Sequence, residues 1–257
     1  DAYMDKRSKM PVSGSNVISS AIGISIPQQN NGKTEYKGID LGIDWKDKVG
    51  KDFTYYVGGT LNYIRTEVIE NGEGYIPYDY LSGKGLPDGQ LFGLEAIGYF
   101  RDEADIANSP QQMFSEVRPG DIKYKDMNGD RIIDDNDVHP IGHSSSVPEI
   151  YYGLKLGFEY KGFGLDALFQ GVADYSRMMN VSSVYWPLRN NTNVSDWYLH
   201  DKIRGTEETR DIANVPRLTT LNNSNNFRNS TQWLVNGDYF KQRNLNVYDN
   251  LPQRWIS

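Results

Sequence analysis

Apolar and polar residues alternate with a period of two along several stretches of the chain. In 36–45, Ile39, Leu41, Ile43 and Trp45 point one way, while Gly38, Asp40, Gly42 and Asp44 point the other. In 53–63, Phe53, Tyr55, Val57, Leu61 and Tyr63 oppose Thr54, Tyr56, Gly58, Thr60 and Asn62. The stretch 150–160 sets Ile150, Tyr152, Leu154, Leu156, Phe158 and Tyr160 against Tyr151, Gly153, Lys155, Gly157 and Glu159. In 163–170, Phe163, Leu165, Ala167 and Phe169 oppose Gly164, Asp166, Leu168 and Gln170. Successive side chains of a strand leave on opposite faces, so each stretch predicts a β-strand with one apolar and one wet face. With weaker runs at 3–10 and 231–248, the chain reads as about six strands: 3–10, 36–45, 53–65, 149–160, 163–174 and 231–248.

The links between strands alternate in length. Trp45 and Phe53 are joined by the short, charged KDKVGKD, and Tyr160 and Phe163 by Lys161-Gly162 alone. The other links run over roughly 67–148 and 176–230, and loops of that length are uncommon inside a compact soluble domain. In a transmembrane barrel, short turns gather on one side of the membrane and long loops on the other. The predicted fold class is therefore all-β, an antiparallel transmembrane β-barrel segment with long extracellular loops. The alternative is a soluble, calcium-stabilised carbohydrate-binding β-domain, which would bury Ile39, Leu41, Ile43 and Trp45 in a core. Within the loops, 90–100 is mixed and punctuated by Gly. The stretch 195–204 predicts a short helix capped by Ser195, and 222–229 reads as polar and mobile.

Composition supports strands over helices: hydrophobic residues reach only 38%, while Tyr counts 18 and Gly 25. The net charge of -7 without a basic stripe argues against nucleic-acid binding, which needs clustered Lys and Arg on phosphates. The absence of cysteine removes disulfides, thiolate chemistry and Cys-type zinc sites. No run of about 18 apolar residues exists, but barrel strands escape that test. The chain starts at Asp1 without a Met, which reads as a processed or partial chain.

Residues 119–137, PGDIKYKDMNGDRIIDDND, are the densest candidate chemistry. Asp126, Asn128, Asp130, Asp134 and Asp137 occupy positions 1, 3, 5, 9 and 12 of a loop whose position 7 supplies the Ile132 carbonyl. This oxygen spacing suits Ca2+, since a hard cation relieves repulsion among close carboxylates. Arg131 stands where an EF-hand needs Gly, and Asp137 replaces the bidentate Glu, so the loop is closer to short aspartate loops than to a sensor. The competing reading is an Asx-turn loop that satisfies its own backbone without metal. Either way a structural role is expected.

Exposed aromatics offer a second candidate. Tyr75, Tyr78 and Tyr80 lie in one long loop, and Tyr185, Trp186, Trp197 and Tyr198 in the other. They suit stacking on a sugar ring or gripping a peptide, and equally suit packing loop on loop or an interfacial girdle. His139 and His143 straddle Pro140 and Gly142, so they share no helix face and read, with His200, as loop residues. No Gly-rich phosphate loop or nucleophile elbow is present, and no particular carboxylate pair stands out, so the chain does not read as an enzyme.

The flanks of the acidic loop carry a resemblance. The run 119–137, then Ile141-Gly142, then Pro148-Glu149-Ile150-Tyr151-Tyr152-Gly153, resembles the C-terminal third of SusC/RagA-like TonB-linked outer-membrane proteins. So do YKGID at 36–40, YKGFGLDALFQG at 160–171, Pro216-Arg217-Leu218 and WLVNGDYFKQRNLNV at 233–247, in family order. The resemblance implies a barrel of about 22 strands around a plug, energised by TonB. It also implies a SusD-like surface lipoprotein as a lid, outer-membrane lipid around the barrel, and an oligosaccharide or peptide as cargo. The plug, the TonB-contacting segment and the final strands are not represented in this chain. Gly205 departs from the family's usual Trp, Gln242 from an apolar position and Asp249 from an aromatic one.

Overall fold

The computed structural model describes every residue except 13–26, 182–187, 189–192, 195, 197–202, 207, 210, 222 and 251–257. Its strands in chain order begin with β1 (Ala2–Val12), β2 (Gln29–Val49), β3 (Phe53–Glu70), β4 (Phe92–Gly93) and β5 (Ala96–Tyr99). The helix α1 (Glu103–Asn108) precedes β6 (Gln111–Gln112), β7 (Ile122–Tyr124), β8 (Ile132–Ile133) and β9 (His139–Pro140). Then follow β10 (Ile150–Tyr160), β11 (Phe163–Ala173), β12 (Ser176–Met178), β13 (Leu234–Asn236) and β14 (Tyr239–Asp249).

One six-stranded antiparallel sheet, ordered β1-β2-β3-β10-β11-β14, dominates the molecule. Its register keeps the alternating rows together. Leu41 faces Leu61, and Leu61 faces Tyr152; Trp45 faces Val57, and Val57 faces Leu156. A slip of one residue would put Asp40 and Asn62 on the greasy face, so the pattern itself specifies the pairing. Among the described residues β1 and β14 each pair on one side only, so the sheet is open, as a portion of a barrel must be. The row Ile39, Leu41, Ile43 and Trp45 is exposed, with Ile43 at 61% and Trp45 at 60%. That contradicts the soluble alternative, which required these side chains to be a core.

Two short turns lie at one end of the sheet. Lys161 and Gly162 both have positive φ (52° and 96°), the backbone a two-residue hairpin needs to match strand twist. Lys161 N–H donates to the Asp52 carbonyl at 3.2 Å and Asn250 N–H to the Gly162 carbonyl at 2.8 Å, tying the turns side by side. The strands β2 and β3 run well past the predicted 36–45 and 53–65. Their extensions at the opposite end, 29–35 and 66–70, lack a regular apolar alternation, so hydrogen bonding continues where that pattern has stopped. The predicted strand 231–248 is divided at Gly237-Asp238: β13 leaves the sheet to pair with β12, and only β14 joins β11. Asp238 causes the break by accepting the Tyr175 N–H at 3.1 Å, while Gly237 N–H donates to the Tyr175 carbonyl at 2.8 Å.

The long connections fold together at the other end into a loop unit. Its core joins Leu94, Ile122, Tyr124, Ile133 and Trp233, with Phe114, Val138, Met178 and Phe227 against it. Small pairings β4-β9, β5-β7, β6-β8 and β12-β13 supply its backbone bonds. The segment 223–229, expected to be mobile, is instead packed into this unit. Asn225 and Asn226 are completely buried, because their amides satisfy the backbone of β7. The predicted helix 195–204 lies largely outside the described residues.

Candidate functional site

The apolar face of the sheet is organised in bands. Near the turns, Trp45, Phe53, Tyr55, Phe158, Tyr160 and Phe163 gather, with Phe53 and Phe158 centroids 6.1 Å apart and Phe158 and Phe163 6.4 Å apart. Towards the loop unit lie Tyr63, Tyr152, Phe169 and Phe240, with Phe240 stacked 6.0 Å from Tyr152 and 5.5 Å from Phe169. Between these belts stand Leu61, Val57, Leu154, Leu156, Leu165, Leu245 and Val247. From Tyr152 to Tyr160 the strand rises about 26 Å at ~3.3 Å per residue. At the tilt usual for such barrels that spans roughly 20 Å, close to the ~25 Å apolar band between aromatic girdles. Beyond Tyr63 the same face turns ionic: Glu35 pairs with Lys6 at 2.6 Å and Lys37 at 3.0 Å, and Arg65 lies 3.6 Å from Glu149.

Gln242 and Asp249 fall at the two limits of this band. The β11–β14 ladder passes from Leu168–Asn244 to Phe169–Gln242, leaving Arg243 as an extra, bulged residue. Arg243 reaches instead to Gln170 at 2.7 Å on the polar face. Gln242 thereby sits in the belt beside the loop unit, and Asp249 faces Phe163 in the belt beside the turns. Both avoid the centre of the band, where a charge is most costly. The polar face carries Asp40 hydrogen-bonded to Asn62 and the Tyr56 hydroxyl donating to Asp166, with Lys155 5.2 Å from the Tyr56 ring centroid. Tyr56 lies over Gly157, and Tyr248 over Gly164, where a Cβ would overlap the ring.

The acidic loop is closed by its own carboxylates. Asp126 accepts the N–H groups of Gly129 (2.6 Å) and Arg131 (2.8 Å), and Asp130 accepts that of Ile132 (2.7 Å). Asn128 accepts from the Asp130 N–H at 3.0 Å. Asp134 caps the turn at Asn136 (2.7 Å), while buried Asp137 accepts from Met127 and Asp134 N–H, both at 2.8 Å. These bonds permit the positive φ of Arg131 (67°), at the position where an EF-hand places Gly. Among the described residues no group of three or more His, Cys, Asp or Glu side chains converges to hold a metal ion.

Tyr78 and Tyr80 lie against this loop. Their rings stack 5.4 Å apart, the Tyr80 hydroxyl donates to the Asn136 carbonyl at 2.7 Å, and Asn128 donates to the Tyr78 hydroxyl at 3.3 Å. Burial, then the nearby Asp137 charge, pushes the Tyr80 hydroxyl pKa up. Tyr75 is apart from them and 94% exposed. Tyr185, Trp186 and Trp197 lie outside the described residues.

Sequence reasoning missed the polar hub of the loop unit. Fully buried Asp121 accepts from Arg118 N–H (2.8 Å), Asn223 Nδ2 (2.9 Å) and Asn226 Nδ2 (2.8 Å), and pairs with Arg217 Nε at 2.8 Å. Gln112 bridges the Ile122 carbonyl (2.9 Å), Asn225 Oδ1 (2.6 Å) and the Tyr124 N–H (2.7 Å). Trp233 Nε1 donates to the Asn226 carbonyl at 2.6 Å. The Asn-rich segment was the available signal, since an amide supplies two donors and an acceptor to buried backbone. Gly205 fits beside the hub, its backbone packed on Gly120, whose φ is +87°. A Cβ on Gly205 would lie 2.8 Å from the Gly120 carbonyl oxygen, which leaves no room for a Trp.

An open antiparallel sheet with a banded apolar exterior and one-sided long loops defines a segment of a membrane-barrel fold. Comparison with known proteins agrees. The chain is 21% identical to "TonB-dependent receptor P3" of Formosa agariphila over 91% of its length and 23% of that protein. It is 24% identical to "TonB-dependent receptor P39" of the same organism over 88% of its length and 25% of that protein. These relatives are receptors rather than enzymes. Its fold is that of the RagAB peptide transporter, with TM-score 0.70, 19% identity, all of this chain and 26% of that one. The RagAB peptide importer in the "open-open" state gives 0.69 and 20%, again over all of this chain and 26% of that one. The chain thus spans about a quarter of the length of the proteins it matches. No protein-family model matches it.

Proposed function

We propose that this chain forms part of the barrel wall and extracellular loops of a SusC/RagA-type, TonB-dependent outer-membrane nutrient importer. The observation that carries the reading is the exposed apolar band between two aromatic belts, with short turns beyond one belt and the folded loop unit beyond the other. Such a face is stable against lipid and costly against water. The polar row including Asp40, Thr54, Asn62, Lys155, Asp166 and Gln170 faces the lumen in this reading. Transport here is steric gating and ligand contact, with energy delivered through TonB by a part of the protein outside this chain. A SusD-like lipoprotein covers the loop unit, and the cargo is an oligosaccharide or peptide, with Tyr75 a fully exposed aromatic on the described loop surface.

Single cysteines test the reading, since this segment contributes none of its own and any elsewhere in the full-length protein are first replaced by serine. In the full-length protein in vesicles, Leu41→Cys, Ile43→Cys and Val247→Cys should react with a lipid-soluble maleimide and resist a charged one. Asp44→Cys and Asn62→Cys should show the opposite preference. Equal labelling of both rows by the charged reagent would refute a lipid-facing band.

Calcium at the acidic loop belongs to the same proposal as a structural clasp. The ligands would be Asp126, Asn128, Asp130, the Ile132 carbonyl, Asp134 and Asp137, supported by their spacing. Binding would require several carboxylates to exchange a backbone N–H partner for the ion.

A further inference from the structure

Just beyond the belt beside the loop unit, the outward row of β2 and β3 changes character in two steps. Ile39 stands opposite Tyr63, Lys37 opposite Arg65, and Glu35 opposite Glu67. From the apolar band outward the order is therefore apolar, cationic, anionic, with one row every ~7 Å along the strands. These six residues line a hollow of about 350 Å³. That is the small end of the range for small-molecule sites.

Each charged row sets like charges directly across a strand pair, an arrangement that is destabilising by itself. The partners present do not use up the two rows. Lys6 and Lys37 both reach Glu35, at 2.6 Å and 3.0 Å, so two cations share one carboxylate. Arg65 comes only within 3.6 Å of Glu149, beyond hydrogen-bonding distance, and its side chain is 59% exposed. Glu67 makes no ion pair among the described residues. A guanidinium fork and, one row farther out, a carboxylate thus remain for a ligand, next to the apolar Ile39 and Tyr63.

The order of the rows selects that ligand. A purely anionic headgroup would satisfy Lys37 and Arg65 and then meet Glu35 and Glu67. A headgroup with a phosphate next to its acyl chains and an ammonium beyond satisfies both rows, since each contact is a charge-assisted hydrogen bond. Its chains continue onto Ile39, Leu41 and Ile43, which are exposed. A soluble amino-phosphate would leave that apolar row bare, so continuity with the band favours a membrane lipid.

We infer that this hollow binds a zwitterionic phospholipid of the phosphoethanolamine type, its phosphate on Arg65 and Lys37 and its ammonium on Glu67. The inference rests on the barrel-wall reading, which places these rows at headgroup level. Full-length protein in a non-ionic detergent, mixed with equal phosphatidylethanolamine and phosphatidylglycerol, should retain the former preferentially in native mass spectrometry. Phosphatidylglycerol keeps the phosphate and chains but lacks the ammonium. Arg65→Gln should weaken retention of both lipids ~10-fold, because a hydrogen bond to a charged group is worth about that factor. Glu67→Gln should abolish the preference while phosphatidylglycerol stays bound, and neither variant should alter thermal unfolding. Equal retention of the two lipids by wild type, preferential capture of added lipid A, or an unchanged preference in Glu67→Gln would overturn the assignment. Monodispersity without detergent would sink the barrel-wall reading itself, whereas detergent dependence without the preference sinks the lipid assignment alone.

Discussion

Replacing Asp121 with Ala should unlock the two long loops from each other. The carboxylate is fully buried and holds one backbone N–H, two side-chain amides and the Arg217 guanidinium. Its loss strands a mostly buried cation, which typically costs about 3–5 kcal/mol. Three further donors are orphaned at about 1–3 kcal/mol each, although neighbouring terms do not add and water enters the gap. A net loss of about 4–6 kcal/mol in the local stability of the loop unit is expected. At 1.4 kcal/mol per tenfold, amide exchange at residues 122–124 and 223–226 should accelerate by roughly 10³ or more. The assay is hydrogen exchange on the full-length protein, peptide by peptide. The strands β2, β3, β10 and β11 serve as the internal reference, because they pair independently of the hub. Asp121→Asn keeps the shape and one acceptor and should fall between wild type and Asp121→Ala. Unchanged exchange at 223–226, or equal acceleration in loop unit and sheet, would refute the idea of a local polar lock.

Ile43→Arg, in the middle of the apolar band, should destabilise refolding into vesicles by about 2–4 kcal/mol, while Asp249→Leu should change it little; equal effects would contradict the banding. Gly205→Trp should destabilise the loop unit by at least ~1–3 kcal/mol through overlap with Gly120, measured by thermal unfolding. The Lys123 ammonium holds the Asp105 carboxyl below the usual carboxylate range. Its stabilisation is therefore complete above the unfolded value of about 3.9 and lost as pH falls through the lower folded value. Acid unfolding of the loop unit should lose that component in Lys123→Met. Asp126→Ala and Asp130→Ala should lower the melting temperature by removing turn bonds. A wild-type melting curve identical with calcium and with chelator would sink the calcium clasp.

Much of the wall is legible in the residue pattern alone. Ile39, Leu41, Ile43 and Trp45 alternate with Gly38, Asp40, Gly42 and Asp44, and period two on a strand allows one arrangement of faces. Lys161-Gly162 between two such rows leaves room only for a hairpin. The ends of strands are less legible, since Lys33–Tyr36 pair with Thr66–Glu70 beyond the apolar rows, where backbone hydrogen bonding continues without a regular hydrophobic alternation. The split of 231–248 depends on what Tyr175 offers to Gly237 and Asp238, some 60 residues away in sequence.

The sequence by itself determined the strand faces, the hairpin turns and the spacing of oxygens in the acidic loop, because each follows from the geometry of neighbouring residues. Only the tertiary structure decided that the loops form one unit. Asp121 and Asn226 are 105 residues apart, and their contact exists because folding brings a donor and an acceptor together away from water. The structure likewise decided that Gly205 must be small, and that Lys37 stands opposite Arg65 and Glu35 opposite Glu67. Those relations are set by long-range proximity, which no local pattern records.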